Sequence, residues 1–252
     1  MLRITAKQQL MREIVDILSV LTSEAKLVWG EKGLSISVVD GSHVALLSAT
    51  IADECFETYE VEPVEIGLDL QKMRDLLTLA GPSDLVEMDY DDAVGAINVR
   101  VGEVLMILRG IDTSTMDNPN QPNLEFKSKA TIGSEKLSRA LRAAKFVGGE
   151  VDLSMDKNQL AVSVTVEAGE GVNVKFESGE LSELVCASPT HSTYSLQYLG
   201  ELTKKLAGGF TNEVSLEFEE KYPLRLTWTV SYTHLRAHET VLDLVCRLLL
   251  EK

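Results

Sequence analysis

Apolar residues recur every three to four positions in four segments of the chain, with polar residues between them. This spacing places the apolar side chains on one face of a helix. The four segments are residues 6–20, 70–80, 134–147 and 195–207. The first and third begin 128 residues apart, and the second and fourth begin 125 residues apart. The pattern therefore predicts two halves built to the same plan.

Between these segments apolar residues alternate with polar ones, which is typical of strands with one buried face. The alternating runs are Leu34–Val38, Ile97–Val101, Leu160–Val166, Val172–Phe176, Val214–Phe218 and Leu224–Val230. Short turns at 30–33 and 156–159 favour antiparallel neighbours, because parallel strands need longer crossovers. We predict an α+β fold of two similar domains, each with antiparallel sheets and two helices on one face.

Residues 113–127 contain two prolines and three asparagines and show little periodicity, which indicates an extended connector. The predicted domains are therefore 1–112 and 128–230. After Val230 the alternating pattern ends, and residues 231–252 read as helical.

Charge is distributed unevenly along the chain. The four helical segments hold ten basic and five acidic residues, whereas the whole chain has a net charge of −15. Helical geometry places five cations opposite the apolar face: Arg12, Arg74, Arg139, Arg142 and Lys204. Five more lie at the flanks, where their long stems can reach the same surface: Lys7, Lys72, Lys136, Lys145 and Lys205.

Taken one helix at a time, such cations are usually just a solvated face. Their recurrence in both halves of an acidic chain favours contact with a phosphate backbone. No aromatic residue is interleaved with them, and no helix carries a base-reading set, so the expected binding is independent of sequence.

Other classes of function have weaker support. The three cysteines form no C-x-x-C pair, which argues against a zinc site or a disulfide framework, and no cofactor is expected. No apolar run is long enough to span a bilayer and no signal peptide is visible, so a cytoplasmic location is expected. Ser188, Thr190, His191 and Ser192 are the best candidates for catalysis, but no Gly-rich elbow or phosphate loop accompanies them.

Three motifs give the chain a resemblance to a known family. Val38–Leu46 is similar to a D-x-S-H-V-x-L loop, Ile66–Leu70 to a G-V-N-L helix entry, and Lys221–Leu226 to a P-[VL]-x-[LV] strand. In this order and spacing, residues 1–230 resemble the sliding clamps of the proliferating cell nuclear antigen family, most closely the archaeal members.

The resemblance implies a homotrimeric ring whose helices face duplex DNA, and a processivity factor for DNA polymerase without catalysis of its own. It implies docking of the clamp loader, polymerase, ligase and nuclease through short peptides, in replication and repair. The alternative is a checkpoint or scaffold paralogue that binds proteins without acting as the replicative clamp.

The resemblance also assigns contact residues. Subunits would join through two edge strands, with Val104, Met106, Leu108 and Arg109 on one and Val172, Val174, Lys175 and Phe176 on the other. Without the resemblance, both strands would be expected to pair internally. The peptide groove would use Val39, His43, Val44, Leu46, Pro119, Pro122 and Pro223, although His43 could equally serve its own turn.

Residues 231–252 depart from the family and resemble translated sequencing-adapter sequence, which implies a truncated gene. The closing strand of the second domain and the C-terminal wall of the groove are then expected to be missing. His234, His238 and Glu239 lack the H-E-x-x-H arrangement and a third ligand, so a metal site is not expected there.

Overall fold

The structure is a computed structural model, and it describes residues 1–116, 119, 122–166, 169–229 and 246–248. Of residues 209, 210 and 246–248 it describes the backbone alone. The chain forms two compact units. Of the described residues, the first comprises 1–41, 47–116 and 119, and the second comprises 42–46, 122–166, 169–229 and 246–248. The division falls within the segment interpreted as a connector.

Among its described residues, the first unit contains two α-helices and nine strands. The helices are α1 (Gln8–Leu18) and α2 (Leu70–Leu77). The strands are β1 (Leu2–Lys7), β2 (Glu24–Gly30), β3 (Gly33–Val39), β4 (Ala45–Ala52), β5 (Thr58–Val61), β6 (Val64–Asp69), β7 (Leu85–Asp91), β8 (Ala96–Val101) and β9 (Val104–Arg109).

In the part of the chain that is described, the second unit contains two helices and nine strands, the last of which, β18 (Cys246–Leu248), lies in the tail. The helices are α3 (Ser134–Lys145) and α4 (Leu196–Lys205), and a π-turn, Leu206–Phe210, follows α4. The other strands are β10 (Ser128–Gly133), β11 (Glu150–Met155), β12 (Gln159–Thr165), β13 (Gly171–Glu177), β14 (Glu183–Cys186), β15 (Thr190–Ser195), β16 (Glu213–Glu217) and β17 (Leu224–Thr227).

Antiparallel pairing builds two layers in each unit. In the first unit the strand order is β5-β1-β7-β8-β9 in one layer and β4-β3-β2-β6 in the other. In the second unit it is β13-β12-β11-β15 and β14-β10-β16-β17. The α+β fold with two similar domains is thus confirmed, and each helix follows a strand at a matching place in its half.

Local sequence explains where the helices begin. Asp69 caps α2 by accepting a hydrogen bond from the Lys72 N–H (3.0 Å), and Ser195 caps α4 through the Gln197 N–H (3.2 Å). The predicted segment 6–20 contributes only Gln8–Leu18 to α1, because its first two residues complete β1, which pairs with β5 and β7.

The apolar faces of the helices pack into the cores of the two units. On α1, Leu10, Met11, Ile14 and Leu18 are buried, and on α3, Leu137, Ala140, Leu141 and Ala144 are buried. α1 contacts α2, and α3 contacts α4. The polar faces of each pair therefore remain on the outside of their unit.

The tail differs from the sequence-based expectation in one described detail. Cys246–Leu248 form a short strand, β18, antiparallel to β17, with Leu224 opposite Leu248. The helical reading of these three residues is wrong, and so is the expected absence of a strand beside β17. Pairing there satisfies backbone groups that β17 would otherwise leave open on that side. His234, His238 and Glu239 lie outside the described residues.

Candidate nucleic-acid interface

The outer faces of α1 and α2 carry two arginines that meet one carboxylate. Arg12 Nε lies 3.8 Å from Asp16 Oδ2, and Arg74 Nη2 lies 3.0 Å from Asp16 Oδ1. The Asp16 side chain is only 14% exposed, whereas Arg12 is 52% exposed. Asp16 therefore links its own helix to α2 in a partly desolvated setting.

Arg74 departs from its predicted orientation directly away from the core. Its side chain is 34% exposed, and its Nε is buried without a hydrogen-bond partner among the described residues. The reason is the neighbouring helix, since Arg74 turns toward Asp16 rather than toward solvent. A helical wheel of α2 alone contains no information about α1.

The lysines at the flanks of the first unit also have acidic neighbours. Lys7 Nζ lies 3.9 Å from Glu57 Oε1, and Lys72 Nζ lies 3.0 Å from the capping carboxylate of Asp69. Hydrogen bonding to the Lys72 backbone N–H, with the Lys72 charge, lowers the pKa of Asp69 below its ordinary value. Lys72 is 66% exposed, so its charge remains accessible to solvent.

In the second unit a single carboxylate again meets cations of both helices. Glu201 of α4 lies 2.9 Å from Lys145 Nζ of α3 and 3.9 Å from Lys204 Nζ of α4. The hydrogen bond from Lys145, with the charges of Lys145, Lys204 and Lys205, lowers the pKa of Glu201. Lys136 lies 3.6 Å from Glu180.

Arg139 and Arg142 are different from the other predicted DNA-facing cations. Both are exposed on α3, and neither forms an ion pair with any residue that the structure describes. They lie one helical turn apart on the face opposite the buried leucines. Their guanidinium groups are therefore available to an external anion.

The residues assigned to the peptide groove fall in both units. Val39 ends β3 and is half-buried, His43 is exposed with φ 57°, Val44 is half-buried, and Leu46 is buried in β4. The positive φ of His43 fits a role in its own turn. Pro119 and Pro122 are half-buried and Pro223 is buried.

The carbonyl of Pro119 accepts a hydrogen bond from Ser37 Oγ (3.1 Å), which holds the connector against β3.

Sequence reasoning did not identify the anchor at the other end of the connector. The Arg225 guanidinium pairs with Glu217 through two hydrogen bonds (2.6 and 2.8 Å) and lies 4.5 Å above the ring centre of Phe126. The Phe126 ring meets Tyr222 edge-on at 5.5 Å. The hydrogen bonds to Glu217 raise the pKa of Arg225. Alternation along β16 and β17 gave a signal for it, since it sets Glu217 opposite Arg225.

The two predicted interface strands are both at sheet edges. Among the described strands, β9 pairs only with β8, and β13 only with β12. The second side of each strand therefore has no partner among the described strands, contrary to what would be expected without the resemblance. On β9, Leu108 is buried, Met106 is half-buried, Val104 and Arg109 are exposed, and Leu105 and Ile107 add exposed apolar surface (48% and 66%). On β13, Phe176 is buried, Val172 and Val174 are half-buried, and Lys175 is exposed.

The serine, threonine and histidine residues considered for catalysis do not converge. Thr190 and Ser192 are buried on one face of β15, whereas His191 is exposed on the other. Successive residues of a strand point to opposite faces, so His191 is poorly placed to activate either hydroxyl.

The described residues offer neither a metal site nor a membrane-spanning helix. They contain no cluster of three or more histidine, cysteine or acidic side chains able to hold a metal ion. No helix among them is both long enough and apolar enough to cross a membrane.

Comparison with known proteins adds a domain family and several relatives. Residues 1–104 match the family model described as "Proliferating cell nuclear antigen, N-terminal domain". Curated proteins named "DNA polymerase sliding clamp" are similar over most of the chain. The one from Methanocorpusculum labreanum is 27% identical over 231 residues, 90% of this chain and 92% of the relative. The one from Methanothrix thermoacetophila is 29% identical over 229 residues, again 90% and 92%.

Solved structures share the fold. The A. fulgidus PCNA described as bound to the C-terminal region of FEN-1 superposes with a TM-score of 0.88 at 24% identity, covering 100% of both chains. PCNA from Thermococcus kodakaraensis gives 0.86 at 20% identity and covers 99% of both chains. Residues 1–104 thus match the N-terminal domain of the proliferating cell nuclear antigen family, and the chain as a whole shares the clamp fold and is similar in sequence to DNA polymerase sliding clamps along nine-tenths of its length.

Proposed function

We propose that three copies of this chain close into a ring around duplex DNA, hold DNA polymerase on its template and dock replication and repair proteins through short peptides. One observation supports the DNA contact above all. Each unit of this acidic chain turns the polar faces of a helix pair outward, and those faces carry the basic residues.

The manner of DNA binding follows from the side chains that are available. Arg139 and Arg142 offer guanidinium groups to phosphate oxygens, and phosphate contacts carry no sequence information. A ring that moves along DNA needs such contacts and no grip on the bases. The acidic remainder of the chain repels DNA from other surfaces.

Ring closure is supported by the two edge strands. β9 and β13 each leave one row of backbone donors and acceptors unpaired within the described chain, and β9 adds exposed apolar side chains. Pairing β9 of one copy with β13 of the next would satisfy both rows. One heterologous contact repeated three times closes a ring.

Peptide docking is supported by the similar A. fulgidus PCNA, whose structure has the C-terminal region of FEN-1 bound to it. In the present chain the groove would be formed around the connector, which is held by Ser37 at Pro119 and by Arg225 at Leu124. Partners such as a polymerase, a ligase or a clamp loader would present short segments with apolar and aromatic anchors.

Primer extension on a singly primed circular single strand tests the processivity role. With a clamp-dependent archaeal DNA polymerase and a clamp loader, the full chain is expected to lengthen the products made in a single binding event. The Ile107→Asp variant should not lengthen the products, because a charge on β9 would oppose its pairing with β13 of the next copy and keep the ring from closing. Product lengths independent of the added chain would contradict the proposal.

A further inference from the structure

The two helix pairs share a feature that the basic pattern concealed. In each pair, one acidic side chain contacts a cation on its own helix and a cation on the neighbouring helix. Asp16 contacts Arg12 and Arg74, and Glu201 contacts Lys204 and Lys145. In both cases each cation meets a different carboxylate oxygen.

The arrangement recurs although the acids occupy different places in the repeat. Asp16 lies on the first helix of its pair, four residues after Arg12, whereas Glu201 lies on the second helix, three residues before Lys204. Asp16 and Glu201 therefore lie at non-matching places in the repeat, yet each unit contains one such acid on its basic face.

These contacts occupy three of the five cations that the sequence placed outward. A guanidinium or ammonium already paired with a carboxylate must lose that partner, or share it, to bind a phosphate oxygen. The carboxylate also repels the phosphate directly. Arg139 and Arg142, which have no ion pair among described residues, keep their full attraction.

We propose that Asp16 and Glu201 limit the hold of the ring on DNA, each by engaging two cations that would otherwise bind phosphates. The inference depends on the proposed function, since it assumes that these helix faces meet DNA. Its consequence is a weak, uneven grip concentrated on α3, which suits a ring that must move along the duplex.

Burial sets the relative strength of the two acids. Asp16 is 14% exposed and Arg74 is 34% exposed, so solvent screens their attraction only in part. Glu201 is 43% exposed and Lys204 is 73% exposed, and ion pairs in such surroundings are weak. Asp16 is therefore expected to restrain its cations more than Glu201 does.

The test is the salt dependence of DNA binding by the full chain and four variants. Asp16→Asn and Glu201→Gln remove the bridging acids. Asp75→Asn and Glu135→Gln are matched controls, because they remove the same charge from exposed acids on α2 and α3 that form no ion pair with described residues. Binding to a fluorescein-labelled blunt duplex is measured between about 50 and 200 mM salt, a range that resolves phosphate contacts.

Asp16→Asn is expected to bind more tightly than Asp75→Asn and to show a steeper slope of log affinity against log salt. Each released cation that reaches a phosphate should make the slope steeper by about 0.9. Between the lowest and the highest salt concentration, affinity then falls by roughly a further threefold. Glu201→Gln should change in the same direction by less. A purely structural link between helices would alter melting temperature without changing the slope.

Equal slopes in the bridging variants and their controls would overturn the inference while leaving the DNA-binding role intact. Absence of salt-dependent binding by the unmodified chain would overturn both. If Asp16→Asn fails to assemble, Glu201→Gln decides the outcome, because its exposed pairs contribute little to folding.

Discussion

Basic residues that look alike in the sequence have different surroundings in the folded chain. Arg74 turns to Asp16 and Lys145 to Glu201, whereas Arg139 and Arg142 have no acidic partner among described residues. The difference matters because only an unpaired cation offers its full charge to phosphate. Arg139 and Arg142 are therefore the residues from which we expect the strongest DNA contacts.

Replacing both Arg139 and Arg142 with Ala tests this expectation. DNA affinity should fall, and the salt slope should become shallower by about one unit for each arginine that contacts phosphate. The control is Lys32→Ala with Lys157→Ala, which removes equal charge from exposed turn positions. If the control lowers the slope as much as the arginine variant, α3 has no special role.

The helical wheel correctly placed the apolar residues of the helices in the core, because periodicity is a local property of the chain. It could not anticipate Asp16 as the partner of Arg74, since that contact depends on how α1 packs on α2. Arg225 was missed for the same reason. Its partners Leu124 and Phe126 lie far from it in the sequence, and only the folded β17 brings them together.

At the level of elements, hydrogen bonds hold the chain just before the connector and near its end, each within one unit. Just before the connector, Ile111 N–H donates to the Gly67 carbonyl (2.9 Å), and a Cβ on Gly67 would lie 2.4 Å from the Ile111 carbonyl oxygen. At its end, Arg225 holds Phe126 and the Leu124 carbonyl. Under the proposed peptide docking, contacts that already hold these parts of the connector would reduce the entropy lost when a peptide binds.

Arg225→Lys is expected to weaken peptide docking without opening the ring. Lysine keeps the charge but cannot form the paired hydrogen bonds to Glu217 while lying over Phe126. If loss of the stacking contact, about 1 kcal/mol, is felt in full by the peptide, the dissociation constant of the peptide rises roughly fivefold. Calorimetry with a FEN-1 C-terminal peptide measures this, and the salt slope for DNA serves as the control. Unchanged peptide affinity would show that the anchor does not shape the groove.

The edge strands were placed by resemblance rather than by pattern. Alternation identified Val172–Phe176 as a strand but could not tell an edge from an interior position, because both have one buried face. The pairing order settles that point for the described residues, with β9 and β13 each at the end of a sheet. The short pairing of Cys246–Leu248 with β17 was also beyond reach, because nothing in residues 231–252 indicated a strand.

At the scale of the whole molecule, the proposed function requires a closed ring. Two similar units with free edges at β9 and β13 can be repeated head to tail, and three copies supply six similar units around one hole. Weak phosphate contact then becomes an advantage, because topology rather than affinity keeps the ring on DNA. The proposed role of Asp16 and Glu201 agrees with this, since they lower the affinity for DNA while encirclement keeps the ring in place.

Retention on circular and linear DNA tests the ring most directly. The chain is loaded onto a nicked circular plasmid, separated from unbound protein by gel filtration above about 150 mM salt to screen phosphate contacts, and the plasmid is then cut once. The account predicts that the chain stays with the circle and leaves after linearisation, and that Ile107→Asp is retained on neither. Equal retention on circular and linear DNA would contradict encirclement and show that the chain binds DNA from one side.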